Sequence, residues 1–333
     1  MGDPQVWWRM PGESVLWRLV AGPGEDAFVF APFDEGPRLQ LKGRAEVASY
    51  PEVGEVNAAG ATFELEDQLS REAYTSAIGE SLKAIAAGAF EKVVVSRHSL
   101  EESEASPEAV FAAKCEQYPD AFVYLWDHPD TGVWLGATPE LLVGSTEVPG
   151  QWQTVSLAGT LRLAEQSDWT EKERAEQAVV TEYIARRLSA TGASDLAMSL
   201  SEDVRYGDIS HLQTRIRFSV DADLLTLAEA LHPTPAVAGK PLAAALDYIR
   251  KVEPVSRRYY SGYLGWMKGE TLGALFVNLR CMWWTPRGVV AFAGAGIVKG
   301  SDPDLEWLET EAKLDSIRNA LSSDGAATGS HLL

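Results

Sequence analysis

The sequence predicts an α+β fold in which mainly antiparallel sheets are covered by helices on the outside. Consecutive apolar strands are joined by short turns, an arrangement that favours antiparallel pairing. No G-x-G-x-x-G segment opens a strand–helix unit, so a dinucleotide-binding fold is not expected. Of the 333 residues, 46% are hydrophobic and 23% are charged, which is the composition of a globular protein with a large core.

The first third of the chain begins with predicted strands. Residues 27–66 contain short apolar runs separated by Pro and Gly, which is typical of strands joined by turns. Ser70 can cap a helix that has its apolar positions on one face and ends near Gly88. Residues 92–97 then have the pattern of a buried strand.

A second helix and a hairpin follow. Ser106 and Pro107 are expected to start the helix, which stops before Pro119. The apolar runs 121–126 and 133–137 are separated by a turn-rich segment, and this predicts a β-hairpin.

The remainder of the chain repeats the strand–turn–strand pattern. A strand at 154–158 precedes a helix that begins near Thr170. Three more strands, at 262–267, 272–284 and 289–298, precede a last helix capped by Asp302 and Pro303.

Charge and composition exclude several classes of protein. The net charge of −19 argues against nucleic-acid binding because no basic run offsets it. No apolar stretch approaches the roughly 20 residues that cross a bilayer, and no secretory signal is evident, so we expect a cytoplasmic protein with no membrane partner. Cys115 and Cys281 lack metal-ligand spacing and lie far apart, which argues against a structural zinc or a disulfide.

Two pairs of glutamates suggest a metal site. Glu173 and Glu176 lie three residues apart in a predicted helix, as do Glu306 and Glu309, so each pair shares one helix face. Converging carboxylates in small number suit Mg²⁺. The alternative is structural: Thr170 and Glu173 fit a capping box, and Glu306 would favour the dipole of a first helical turn. The spacing leaves both interpretations open.

Lys92 and Glu140 are candidates for acid–base chemistry. Lys92 precedes an apolar strand, and it is either a strand-end lysine that reaches solvent or a buried lysine whose neutral amine can take a proton from water. Glu140 follows a Pro-containing turn and precedes another apolar run. It is either a polar residue at a strand start or a desolvated carboxyl that serves as a general acid.

Glycines and one arginine indicate a place where a ligand approaches the backbone. Gly159, Gly294 and Gly296 follow apolar strands, where glycine permits close approach and exposed N–H groups can bind a carboxylate. Tight turns would also explain them. Arg280 lies within an apolar run that we expect to be a strand, and it needs a partner, which a substrate carboxylate could be.

Taken in order, these segments resemble the chorismate-utilising enzymes, which include isochorismate, salicylate, anthranilate and aminodeoxychorismate synthases. The matching segments are KVVVSR at 92–97, GATPELL at 136–142, LAGTLR at 157–162, EKERAE at 171–176, LHPTPAVAG at 231–239, RRYYSGYLGW at 257–266, FVNLRC at 276–281 and GAGIVKGSDPDLEWLETEAK at 294–313.

The resemblance implies a fold and a domain organisation. We expect one chorismate-binding domain over 1–333, with N-terminal strands in 1–65 and a catalytic core in 66–325. The expected architecture is aminodeoxychorismate (ADC) synthase-like: two mainly antiparallel sheets packed as a sandwich, with the site in a cleft between the halves.

The resemblance also implies roles for particular residues. Glu176 and Glu309 match Mg²⁺ ligands, with Glu173 and Glu306 as supporting acids. Positions that receive the carboxylates of chorismate are matched by Tyr260, Arg280, Gly294, Ala295, Gly296 and Lys313. Positions lining the ring are matched by Gly159 and His211, and Thr160 and Ala236 are further expected substrate-binding residues.

Three positions indicate which branch of the family the chain resembles. Lys92 matches a water-activating lysine where anthranilate synthases have Gln. Ala158 and Gly159 stand where aminodeoxychorismate synthases have Lys-Gly, and HPTPAVAG is similar to the isochorismate-type loop. The resemblance therefore implies a monomeric isochorismate synthase with Lys92 as base and Glu140 as acid, and no glutaminase subunit.

Other outcomes stay open on the sequence alone. A salicylate synthase would form isochorismate and then eliminate pyruvate, and an amino-transferring synthase would need a glutaminase. A non-catalytic chorismate-binding protein is a further alternative. The pathway served, whether menaquinone, a catechol siderophore or salicylate, is not decided by these residues.

Overall fold

The computed structural model describes residues 3–52, 54, 69–162, 168–206 and 209–322, and within them it shows strands and helices in an α+β arrangement. The strands are β1 (Gln5–Arg9), β2 (Leu16–Ala31), β3 (Leu39–Val47), β4 (Lys92–Glu101), β5 (Phe122–His128), β6 (Gly132–Thr138), β7 (Leu141–Ser145), β8 (Gln151–Arg162), β9 (Ser194–Met198), β10 (Glu202–Tyr206), β11 (Ile209–Ser219), β12 (Gly239–Lys240), β13 (Tyr263–Lys268), β14 (Leu272–Val277), β15 (Cys281–Thr285) and β16 (Gly288–Val298). The helices are α1 (Arg71–Ala86), α2 (Pro107–Gln117), α3 (Glu171–Ala190), α4 (Leu224–Leu231), α5 (Leu242–Val252) and α6 (Pro303–Arg318).

The strands form one continuous series of antiparallel pairs. Its order is β10-β11-β8-β7-β14-β13-β2-β1-β5-β6-β15-β16-β4-β12, with β3 paired to β2 and β9 to β11. We call β10 to β13 of this series the first half and β1 to β12 the second half. The long strand β2 joins the halves, since its beginning pairs with β1 and its end pairs with β13.

The two halves face each other through an aromatic core. Phe122 of β5 stacks on Phe276 of β14 with ring centroids 4.3 Å apart, although three strands separate β5 from β14 in the series. Contact between such distant strands requires the sheet to fold back on itself. The predicted sandwich of mainly antiparallel strands with helices outside is therefore confirmed. The predicted strands of 27–66 are found as far as Val47, and residues 53 and 55–66 lie outside the described residues.

Local capping explains the helices that the sequence predicted. The Ser70 hydroxyl accepts a hydrogen bond from Ala73 N, and that of Ser106 from Ala109 N. Asp302 caps α6, whose first turn contains Pro303. Helices α4 and α5 were not predicted from the sequence. Helix α5 begins after Pro241 without a side-chain cap, so it lacks the usual start signal.

The predicted strand 272–284 is wrong in one respect. The structure breaks it after Val277, and Arg280 lies in the break with a left-handed φ of 50°. The buried Asn278 side chain accepts a hydrogen bond from Tyr124 Oη and donates one to the Tyr259 carbonyl. These contacts hold a crossing from β14 in the first half to β15 in the second. The segment contains neither Gly nor Pro, so its sequence carries no turn signal.

Phe122→Ala should lower the free energy of unfolding by about 3–5 kcal/mol, because it opens a cavity between the halves. Chemical denaturation measures this change. Leu200→Ala is the control, because Leu200 is 90% exposed and its loss should cost less than about 0.5 kcal/mol. Equal effects of the two changes would show that the stacked ring does not hold the halves together.

Candidate functional site

A cleft of about 710 Å³ collects most of the predicted site residues. Its walls come from β8, β11 and α3 on one side, and from β16, α6 and the crossing before β15 on the other. The predicted residues that line it are Glu140, Gly159, Thr160, Glu176, His211, Ala236, Tyr260, Arg280, Gly294, Gly296, Glu309 and Lys313.

Lys92 lies directly behind the wall of this cleft. Its side chain is 1% exposed, and its Nζ is 2.8 Å from Glu176 Oε1. The strand-end position that could have reached solvent is instead covered by β12, which pairs Lys240 with Lys92. Of the two alternatives left by the sequence, the structure therefore shows the buried lysine, in contact with a carboxylate of the cleft.

Gly296 makes the contact between Lys92 and Glu176 possible. A Cβ atom at position 296 would collide with Glu176 Oε1 and would lie 3.1 Å from Lys92 Cε. From the sequence, Gly296 is expected to permit close approach of a ligand to the backbone. In the structure it also leaves room for two of the chain's own functional side chains.

Glu140 lies in the cleft as a buried carboxyl between β6 and β7. It is 3% exposed. Burial raises its pKa to about 8, while the charges of Lys92 and Lys313 act in the opposite direction. The carboxyl is therefore mostly protonated at neutral pH and can donate a proton.

A second lysine–carboxylate pair lies on α6. Lys313 Nζ donates to Glu309 Oε1 at 2.7 Å and to the Gly294 carbonyl at 2.8 Å. One turn of helix thus places a positive and a negative group on the cleft wall. The bond to Gly294 fixes α6 against β16.

Of the four predicted metal-binding acids, the structure brings Glu176 and Glu309 to the cleft. Glu173 Oε2 instead accepts hydrogen bonds from the backbone and hydroxyl of Thr170, which is the capping-box alternative. Glu306 is 1% exposed and lies close enough to Tyr74 that, after burial, its charge contributes to raising the pKa of that phenol.

The remaining pair of carboxylates, Glu176 and Glu309, could hold a magnesium ion. No cluster of three or more His, Cys, Asp or Glu side chains suited to a metal occurs in the described part of the chain. Mg²⁺ needs fewer, since it is commonly bound by one or two carboxylates together with water and substrate oxygens. Glu176 and Glu309 supply hard oxygen ligands of this kind.

Arg280 and His211 form a second group in the cleft. Burial, followed by the charges of Arg280 and Lys313, lowers the pKa of His211 to about 3, so its imidazole is neutral. His211 Nδ1 is 2.7 Å from the Gly159 carbonyl and therefore carries the proton. His211 Nε2 accepts from Arg280 Nη2 at 3.1 Å.

Of two other predicted residues, Tyr260 lines the cleft and the side chain of Ala295 does not. Tyr260 lines the cleft, and burial raises the pKa of its phenol to about 12, so the phenol stays protonated. The Ala295 side chain, in contrast, packs in the core on the opposite face of β16. Side chains alternate along a strand, so a cleft that Gly294 and Gly296 line cannot include the Ala295 methyl group.

Some residues at the site carried no signal in the sequence. Phe292 lines the cleft but belongs to no segment with family resemblance. Ser316 also lies outside those segments and holds Arg280 through a hydrogen bond of 3.1 Å. These two residues could not have been found without the fold, whereas Ser261 and Leu279, which also line the cleft, lie in the matching segments 257–266 and 276–281 and were not singled out.

No helix among the described residues is long and apolar enough to cross a membrane.

Residues 40–322 match the family described as chorismate binding enzyme, and the chain belongs to that family. The resemblance to chorismate-utilising enzymes is confirmed.

Individual relatives include more than one activity. The chain is 33% identical over 325 residues to the salicylate biosynthesis isochorismate synthase of Pseudomonas aeruginosa, covering 93% of this chain and 66% of that protein. It is 30% identical over 268 residues to anthranilate synthase component 1 of Halobacterium salinarum, covering 75% and 50%. The chain thus spans about half to two thirds of the length of these curated relatives.

The fold is also similar to that of a solved structure. The menaquinone-specific isochorismate synthase of Escherichia coli superposes with a TM-score of 0.79 at 22% identity, covering 96% of this chain and 89% of that one. At this identity the likeness shows the fold.

Gly296→Ala should leave the chain folded but lower turnover of chorismate by about 10²-fold, because the new methyl group displaces the Glu176 carboxylate. Thermal unfolding and a chorismate-consumption assay measure the two effects. Gly79→Ala is the matched control, since a Cβ at that helical position meets nothing within 4 Å. Wild-type turnover by the Gly296→Ala protein would show that the space at this glycine is not needed.

Proposed function

We propose that this chain is an isochorismate synthase, an isomerase that adds water to chorismate at C2 and removes the C4 hydroxyl, with Mg²⁺ as cofactor. The observation that carries the proposal is the pairing of a buried, protonated Glu140 with a buried Lys92 at one cleft. This is an acid and a base held apart from solvent, as the exchange of one hydroxyl for another requires.

Glu140 is the proposed general acid. Loss of the C4 hydroxyl is easier when the oxygen is protonated, because water is a better leaving group than hydroxide. A carboxyl with a pKa of about 8 is mostly protonated at neutral pH yet acidic enough to give up its proton.

Lys92 is the proposed general base. Its amine takes a proton from the attacking water as the water oxygen bonds to C2, the ring double bonds shift, and the bond from C4 to its hydroxyl oxygen breaks. One proton is taken up at Lys92 and one is supplied by Glu140, so the net proton count of the reaction is unchanged. Lysine at this position also argues against ammonia as the nucleophile, since the resemblance gives anthranilate synthases Gln there.

The charges of the cleft suit a dianionic substrate. Arg280 and Lys313 supply positive groups near the Gly294 backbone, in a protein whose net charge is −19. Positive groups in the cleft would therefore attract the substrate carboxylates locally, although the overall negative charge of the protein repels them.

Glu176 and Glu309 are the residues that would hold Mg²⁺. When bound, the ion would fix the ring carboxylate of chorismate and withdraw charge from the ring. The chain's own part is to hold both carboxylates at the cleft, which the contacts of Glu176 with Lys92 and of Glu309 with Lys313 do.

Incubation of the purified protein with chorismate and Mg²⁺ should yield isochorismate, and EDTA should abolish the reaction. Lys92→Ala should lower kcat by about 10²-fold or more. Lys240→Ala is the control, since this lysine pairs with Glu91 and lies outside the cleft. Chromatography identifies the product.

Other products would reject the proposal in informative ways. Salicylate without an added lyase would identify a salicylate synthase, and an aminated product formed with ammonia would identify an amino-transferring enzyme. Binding of chorismate without turnover would identify a non-catalytic binding protein. Near-native turnover by Lys92→Ala would remove lysine from the base role.

The pH dependence should show the titration of Glu140. Its protonated form is required, so kcat/KM should fall as pH rises through about 8. The ordinary pKa of this carboxyl is 4.5, and burial raises it to about 8 in the folded protein, so folding favours the protonated form. The free energy of unfolding should therefore decrease as pH rises from about 4.5 to about 8. Glu140→Gln should abolish turnover and remove this decline in stability. A Gln variant with an unchanged stability profile would show that Glu140 is ionised in the folded protein.

A further inference from the structure

The Arg280 guanidinium is held between two partners that leave its charge available. Arg280 Nη1 donates to Ser316 Oγ at 3.1 Å, and Arg280 Nη2 is 3.1 Å from His211 Nε2. A serine hydroxyl carries no charge, and the imidazole is neutral at a pKa of about 3. The two contacts therefore orient the guanidinium without neutralising it, which leaves its charge for an anionic ligand.

The Ser316 hydroxyl donates one hydrogen bond and accepts another. Its single proton is directed to the Lys313 carbonyl, at 2.6 Å. The oxygen is then left as an acceptor for Arg280. Ser316 thus joins Arg280 to the turn of α6 that carries Lys313, the other positive group of the cleft.

Lys114 of α2 and Tyr118, the residue that follows α2, fix the backbone of Ser316 from the far side. Lys114 Nζ and Tyr118 Oη both donate to the Ser316 carbonyl. Lys114 is 2% exposed and lies 4.8 Å from the Tyr118 ring centroid. The serine is therefore held at its carbonyl by α2 and at its hydroxyl by Arg280.

We propose that Ser316 is a positioning residue for substrate binding: with His211, its hydroxyl aims the Arg280 guanidinium into the cleft to receive a carboxylate of the substrate. This role rests on the proposed function for the identity of the substrate. Ser316 itself does not line the cleft, and it acts through Arg280. Arg280 lies at a break between strands with a φ of 50°, so regular strand pairing does not fix its direction.

Steady-state kinetics with chorismate and Mg²⁺ test the role of Ser316. Ser316→Ala should raise KM about tenfold, as expected for a lost hydrogen bond to a charged group, with kcat within about twofold, since the lost interaction is a binding one. Ser316→Thr keeps the hydroxyl and should restore KM. Ser189→Ala is the matched control, because this serine also bonds to its own helix, through the Ala185 carbonyl, away from the cleft.

A double-mutant cycle separates positioning from stability. If Ser316 acts through Arg280, Ser316→Ala should add less than about twofold to KM in an Arg280→Lys background, since the partner is already lost. A tenfold effect in both backgrounds would overturn the proposal. An unchanged KM, or a loss confined to kcat, would overturn it as well. If Ser316→Ala fails to fold, the Thr variant decides, because a raised KM in that folded protein contradicts the proposal.

Chorismate binding tests the same role without turnover. Calorimetric titration of Glu140→Gln protein with chorismate and Mg²⁺, with and without Ser316→Ala, should show about a tenfold rise in Kd. Equal Kd values would reject the role of Ser316. Absence of isochorismate from the wild-type protein would reject the proposed function, which is a separate result.

Discussion

The contact between Lys92 and Glu176 is the interaction on which the cleft depends. Taking a lysine and a carboxylate out of water is costly, and their approach to 2.8 Å offsets that cost only if no other group takes the space. Gly296 leaves the space open, because any side chain there would meet the Glu176 carboxylate. Pairing of β4 with β16 places Gly296 opposite Val94. The lack of one side chain therefore allows β4, β16 and α3 to meet.

The parts of the fold that could be predicted are those fixed by nearby residues. Ser70, Ser106 and Asp302 cap their helices through backbone groups two or three positions away, and such contacts are encoded locally. The break after β14 depends instead on Asn278, which bonds to Tyr124 and to the Tyr259 carbonyl. Those partners are distant along the chain, and residues 278–280 at the break contain no Gly or Pro, so residues 272–284 were predicted as one strand.

The same distinction applies to the site. The order of the motifs was sufficient to predict that Glu176, Glu309 and Arg280 share one cleft, although they lie in three different parts of the fold. Burial could not be predicted in this way, because the environment of Lys92 is made by residues from other elements. Ser316 is a helical serine outside any motif, and its contact with Arg280 exists only once the crossing before β15 lies against α6.

The crossing that carries Arg280 connects the two halves of the sandwich. It leaves β14 in the first half and enters β15 in the second, and Arg280 then contacts His211 of β11 and Ser316 of α6. An anion bound by this guanidinium would therefore be connected to both halves of the sandwich. Binding of an anion in the cleft and the stability of the whole sandwich are then thermodynamically linked. A substitution in the aromatic packing far from the cleft should therefore change the affinity of the cleft for that anion.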